Sequence, residues 1–314
     1  MLLHKTPAIF SDIVTATAND LGLQDFQIEK DYYVSLYLKT LSELDKDGLV
    51  FKGGTSLSKC YDIIHRFSED IDLAMHFKGG FVDTKIRKRL KKNIVKTTQI
   101  LSGHILNLEK TESDRDYNFY EIDYESYLEA DPTLRPHILI ETIVVYEPYP
   151  TKSISVSNYI TKYLEKTNRQ ALVNEYQLMP FVMNVQTIER TLIDKLYALC
   201  DYHLQGKYER NSRHLYDIHM IWNSKELDKN LMRTIVLNVT RDRQLYGINN
   251  VSCNPFQNPN SILKELIDKA VYKDDFINIT TEFIYDDVTY DQTIETLKII
   301  VNDNLLPLSI PIFE

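Results

Sequence analysis

Two aspartates one residue apart, Asp70 and Asp72 in RFSEDIDLAM, have the clearest chemical potential in this chain. A strand alternates its side chains between two faces, so both carboxylates project to the same side of the strand predicted at 71–76. Like charges so placed repel each other and resist burial unless a cation neutralises them, which makes magnesium or manganese the natural partner. Ile71, Leu73 and Met75 alternate as a buried face should, and the acidic face is then either a metal site or a solvated edge. Glu141 interrupts HILIETIVV, an otherwise apolar strand, and is the best candidate for a third carboxylate of a two-metal site. Taken alone, an acid there equally suits a strand end or edge.

The segment FKGGTSLSK lies just upstream. A strand is predicted at 49–52, a turn at Gly53 and Gly54, and a helix at 55–64. Two glycines let a backbone approach a phosphate closely, and a helix start offers unpaired N–H donors, so a triphosphate suits this corner, with Thr55 and Ser56 beside it. The spacing is not that of a Walker A loop, and a plain tight turn is the alternative. Lys195 sits at the edge of the apolar arc of Ile188, Leu192, Leu196 and Leu199, where a cation either seeks an anion such as phosphate or snorkels to a neighbouring acid. Asp217 stands four residues after Arg213, the spacing of an ordinary helix salt bridge. Cys200, His203, His214 and His219 have a loosely zinc-like spacing, but they fall on helices rather than in paired turns and are not taken as a zinc site.

These residues need a scaffold. Helices are predicted at 6–19 and 27–44, further strands at 117–124 and 137–145, and then an almost wholly helical half with helices at 186–203, 211–223, 227–239, 261–271 and 289–301. The sheet is thus expected in the first half, and the composition shift near Gln186 divides the chain into a domain at 1–185 and a helical bundle at 186–314. The 314 residues are 43% hydrophobic and 26% charged, which suits folding in water and excludes a largely disordered chain. With no apolar run long enough to span a bilayer and no secretory start, a cytoplasmic protein without membrane association is expected. Cys60, Cys200 and Cys253 form no close pair and read as reduced thiols. A net charge of −9 argues against nonspecific adhesion to nucleic acid. KIRKRLKKNIVK, at 85–96, is the exception: Lys85, Arg87, Lys88, Arg89, Lys91, Lys92 and Lys96 surround an apolar stripe, giving a helix that either tracks a phosphate backbone or is merely well solvated.

GGTSLSK followed by RFSEDIDL resembles the AbiEii/AbiGii toxin family of bacterial nucleotidyltransferases, which includes the MenT toxins. The resemblance extends upstream to IEKDYYVSLYLKTL, with Glu29, Lys30 and Asp31 in the family's entry helix, and downstream through ERTLIDKLYAL to SRHLYDIHMI, most of 26–223. It implies an α+β fold, a polymerase-β-type nucleotidyltransferase core (a small mixed sheet with flanking helices) plus a C-terminal helical bundle. It also implies transfer of a nucleoside monophosphate from a nucleoside triphosphate to RNA, at a tRNA 3′ end, by the toxin half of a type IV toxin–antitoxin or abortive-infection pair whose antitoxin is encoded beside it. By this resemblance the metal-binding acids are Asp70 and Asp72, with Glu141 similar to the third; Ser68 matches a serine or threonine beside the acids, Lys195 a lysine motif and Asp217 the aspartate of a later helix. His214 stands where many relatives carry an acid. The expected arrangement is magnesium on Asp70, Asp72 and Glu141, phosphates among Gly53, Gly54, Thr55 and Ser56, and Lys59, Arg66 and Lys195 offsetting their charge, with Glu141 or Asp70 taking the acceptor's proton. Transfer to a small molecule or a protein hydroxyl, or nucleotide binding without turnover, are the alternatives.

Overall fold

The opening helices are defined by their ends. α1 (Pro7–Leu21) starts on a proline, which suits a first turn that needs no N–H acceptor, and stops at Gly22 in the left-handed conformation. α2 (Asp25–Leu44) starts from a reciprocal cap in which Gln24 and Gln27 satisfy each other's backbone N–H. The computed structural model describes residues 1–77, 82–127, 137–246 and 249–314. It comprises two compact units, one of Met1–Tyr61 with Ser68–Val185 and one of Asp62–Phe67 with Gln186–Glu314.

The first unit is built on one sheet. Its strands are β1 (Leu49–Lys52), β2 (Ile71–Met75), β3 (His104–Ile105), β4 (Tyr117–Asp123), β5 (Ile138–Ile143), β6 (Thr151–Val156) and β7 (Phe181–Gln186), in the order β3-β4-β5-β2-β1-β7-β6. The sheet is mixed: β1 runs antiparallel to β2 and parallel to β7, β2 parallel to β5, and β5 antiparallel to β4. Its helices are α1, α2, α3 (Gly53–Lys59), α4 (Thr84–Ile100), α5 (Tyr159–Lys166) and α6 (Gln170–Glu175). One sheet face, with Phe51, Ile71, Leu73, Tyr120, Ile122, Ile138 and Ile140, forms a continuous core with Phe10, Ile28, Tyr37, Leu41, Leu90 and Ile94 of α1, α2 and α4. Strand periodicity therefore commits Lys52, Asp72, Glu141, Tyr117 and Phe119 to the other face.

Two expectations are corrected. The sheet is not confined to the first half, because β7 lies past the midpoint and pairs with β1 near the centre. Gly53 bends the chain out of β1 at a φ of 76°, as expected, but the helix that follows, α3, ends at Lys59 and not at Ile64.

The second unit is helical: α7 (Ile188–Leu204), α8 (Arg213–Asn223), α9 (Lys229–Tyr246), α10 (Pro259–Asp268), α11 (Lys273–Asn278) and α12 (Tyr290–Asn302). α7 packs against α8, α9 and α10, which buries Leu192, Ile193, Leu196, Tyr197, Leu199 and Cys200 almost all round it. The Asp62–Phe67 segment belongs here through backbone hydrogen bonds from Phe67 to Phe283 (3.0 Å) and from Tyr285 to His65 (2.8 Å). The chain is thus α+β, a mixed sheet with flanking helices followed by a helical unit. Among the described residues no helix is long and apolar enough to cross a membrane.

Candidate active site

Four neighbouring strands bring one residue each into a single row. Lys52 pairs with Asp72, Asp72 with Glu141, and Glu141 with Phe119. Directly paired residues share a face and neighbouring strands lie about 4.8 Å apart, so the carboxylates of Asp72 and Glu141 rise side by side. Asp70 sits one residue ahead of β2, on the same side of the pleat as Asp72.

Tyr117, two residues from Phe119 on β4, senses all three acids. Its phenol is pushed above its ordinary range, first by burial and then by the charges of Glu141, Asp72 and Asp70, and it donates a hydrogen bond to Glu141. Negative charge thus converges at the middle of the row, beside β4. The only sequence signal for Tyr117 is a strand of alternating polarity in an acidic stretch.

Gly53 closes the other side. Its φ of 76° is a conformation that L side chains rarely adopt, and a Cβ built there would lie 1.8 Å from an Asp72 carboxylate oxygen. The backbone of the first turn of α3 therefore lies against the acid, with no side chain intervening. The hydroxyls of that turn are engaged locally: Ser56 donates to the Gly53 carbonyl (2.8 Å), and Thr55 pairs with Ser68 (2.9 Å).

The entry-helix triplet fastens these parts together. Glu29 accepts from the Ser126 hydroxyl (2.7 Å) and the Tyr127 N–H (2.9 Å), and burial raises its carboxyl above the ordinary range. Lys30, buried, forms an ion pair with Glu69 in the loop that carries Asp70. Asp31 binds the Lys59 ammonium and accepts from the Tyr159 N–H (2.9 Å) at the start of α5. Lys59 also donates to Ser35 (2.7 Å) and the Asp31 carbonyl (3.2 Å), so its donors anchor α3 to α2. Among the described residues, the acceptors within reach of the Lys59 ammonium are thus all on α2.

The residues fit a hard divalent ion in donor chemistry: carboxylate oxygens from adjoining strands on one face, beside a backbone that approaches Asp72 without a side chain. Among the described residues no three or more His, Cys, Asp or Glu groups are already drawn together as a ligand set. Register and charge, rather than a preassembled shell, carry the fit.

In the second unit, Asp217 is fully buried and does not pair with Arg213 as its spacing suggested. Arg66 grips it with two hydrogen bonds (2.7 and 2.8 Å), and Lys195 adds a third (2.7 Å). Burial opposes the charge of Asp217, but the two cations override it and hold its carboxyl well below the ordinary carboxylate range. Lys195 is lowered, by burial first, and Asp217 opposes that shift. Beside them His214 is held well below its ordinary value by burial and by Lys195 and Arg213, and its Nδ1 is buried without a hydrogen-bond partner.

The basic helix is less free than its composition suggests. Arg87 pairs with Asp116, Arg89 with Asp45 (2.9 Å), and Lys91 donates to the Thr111 carbonyl (2.6 Å). Lys85, Lys88, Lys92 and Lys96 remain exposed.

A family model described as the nucleotidyl transferase AbiEii toxin of a type IV toxin–antitoxin system matches residues 37–296. The chain belongs to that family of nucleotidyl transferase toxins. Among solved structures it is similar to MenT4, a nucleotidyltransferase toxin from Mycobacterium tuberculosis H37Rv, at 16% identity and a TM-score of 0.46, over 93% of this chain and 97% of that one. No curated protein matches the sequence.

Proposed function

We infer that this toxin transfers a nucleoside monophosphate from a nucleoside triphosphate to the 3′ end of an RNA of the tRNA class, in the cytoplasm, and that a protein encoded beside it neutralises it. The observation that carries the reading is the pairing of Asp72 with Glu141, with Asp70 next to them and the charge of all three felt by Tyr117. Asp70, Asp72 and Glu141 would hold magnesium or manganese, which when bound supplies positive charge to the polyphosphate and to the departing pyrophosphate.

The chain's own residues do the rest. The first-turn N–H groups at Gly53, Gly54, Thr55 and Ser56 face phosphate oxygens, because a helix start leaves its donors without intrahelical acceptors. Ser68 holds Thr55 and so fixes that turn. The acceptor hydroxyl attacks the α-phosphorus; its new P–O bond forms as the bond to the pyrophosphate oxygen breaks, and Asp70 or Glu141 takes the proton. Arg66 and Lys195 converge on Asp217, and their charge is the part assigned to offsetting phosphate. Lys85, Lys88, Lys92 and Lys96 attract the RNA backbone.

The test is incubation with each labelled triphosphate, magnesium and total RNA. Label should appear on RNA with the intact protein and vanish with Asp70→Ala. Charge reversal at Lys88 and Lys92 should abolish transfer to RNA; unchanged labelling of RNA would remove the basic helix from the account.

A further inference from the structure

β4 carries two large exposed rings beside the acids. Tyr117 and Phe119 are 47% and 38% exposed, on the same strand face as Glu141, while Asn118, Tyr120 and Ile122 between and beyond them are buried. Exposed aromatics on a sheet face leave apolar area in water, and here they stand directly next to charged groups. Their seat is firm. Asn107, itself buried, donates to the Phe119 carbonyl (3.1 Å) and accepts from the Glu121 N–H (3.0 Å), and Asn118 is tied to both backbone groups of Glu112 (2.9 Å each).

We propose that Phe119, with Tyr117 beside it, is a stacking platform for the terminal nucleobase of a single-stranded RNA acceptor. This rests on the transfer reaction inferred above. Strand order decides which base is held. Gly53 and the start of α3 lie at the β1 side of the row, and Phe119 lies at its β4 side, with Asp72 and Glu141 between. A triphosphate at the glycine corner leaves the β4 side for the acceptor. A base stacked on Phe119 then presents its ribose toward Glu141, the residue paired with Phe119. Aromatic side chains bind unpaired RNA bases through their π-faces. Tyr117 acts as a positioning residue through its hydrogen bond to Glu141.

The test uses a short single-stranded oligoribonucleotide ending in 3′ 2-aminopurine, whose fluorescence is quenched on stacking, with the full chain and magnesium but no triphosphate. The wild-type protein should bind and quench it. Phe119→Ala should weaken binding roughly 5- to 150-fold and abolish quenching, and Phe119→Leu should do the same despite its similar apolar bulk, whereas Phe119→Trp should retain both. Equal binding and quenching by Phe119→Ala, or equal quenching of a 5′-terminal 2-aminopurine, would overturn the platform, as would an oligonucleotide whose fluorescence does not respond. Steady-state transfer separates the two ideas. RNA labelling with an acceptor KM unchanged by Phe119→Ala refutes the platform and leaves the reaction standing, while no RNA labelling by the wild type refutes the reaction.

Discussion

Gly53→Ala is the sharpest perturbation of the site. At a φ of 76° an alanine costs about 1–2 kcal/mol for the left-handed backbone alone. Its Cβ would meet an Asp72 oxygen at 1.8 Å and the carboxyl carbon at 2.6 Å, so the carboxylate must move by more than an ångström or the turn must open. A displacement of about 1 Å in a reacting constellation costs on the order of 100-fold in rate. Gly22 supplies the control, for its φ of 67° is similar and nothing lies within 4 Å of a Cβ built there. Both variants should lose melting temperature by a few degrees in thermal unfolding. Gly53→Ala should lower kcat for label transfer to RNA by roughly 100-fold or more, and Gly22→Ala should leave it within about twofold. Full activity in Gly53→Ala, or equal losses in both, would refute the reasoning that the close approach to Asp72 matters.

Lys30→Met removes the buried cation paired with Glu69 and should cost about 3 kcal/mol by chemical denaturation, while Lys30→Met with Glu69→Leu should recover most of it. Tyr117→Phe removes a hydrogen bond to a charged group and should lower kcat about 10-fold with little change in the KM for triphosphate, measured by initial rates. His214 stays neutral in the folded chain, whereas the unfolded chain takes up its proton near pH 6.5; stability is therefore complete above that value and falls as pH drops below it. His4, pushed down to about 4 by burial, adds a loss of the same sign between pH 6.5 and 4. Melting temperatures should decline from pH 7 to 4, with a shallower slope in His214→Phe.

The long, strongly periodic elements were legible because their apolar stripes extend over several turns: the helix expected at 186–203 is α7 (Ile188–Leu204), and that at 289–301 is α12 (Tyr290–Asn302), with its Thr289–Gln292 cap. β6 and β7 were not, since TKSISV and FVMNVQ are short and mix polar residues into the pattern; Asn184 and Gln186 mask a strand that pairs near the centre of the sheet. The acids could be read as sharing a face from the period of two, but the alignment of Asp72 with Glu141 depends on β2 and β5 being parallel neighbours, which no local signal encodes. Partners were the least visible part. Asp217 takes Arg66, 151 residues away, over Arg213 four residues away, because the buried bidentate geometry outweighs an exposed helix pair. The EKD triplet revealed its residue types but not that each charge anchors a different piece of the site.

The central claim is that the acid row moves the α-phosphorus of a nucleotide. Parallel reactions with α- and γ-labelled triphosphate, using wild-type protein and Asp72→Asn, test it most directly. The account predicts that only the α-label reaches RNA, that the γ-label leaves in pyrophosphate, and that both signals disappear in Asp72→Asn. Transfer of the γ-label, or α-label transfer that survives Asp72→Asn, would contradict it.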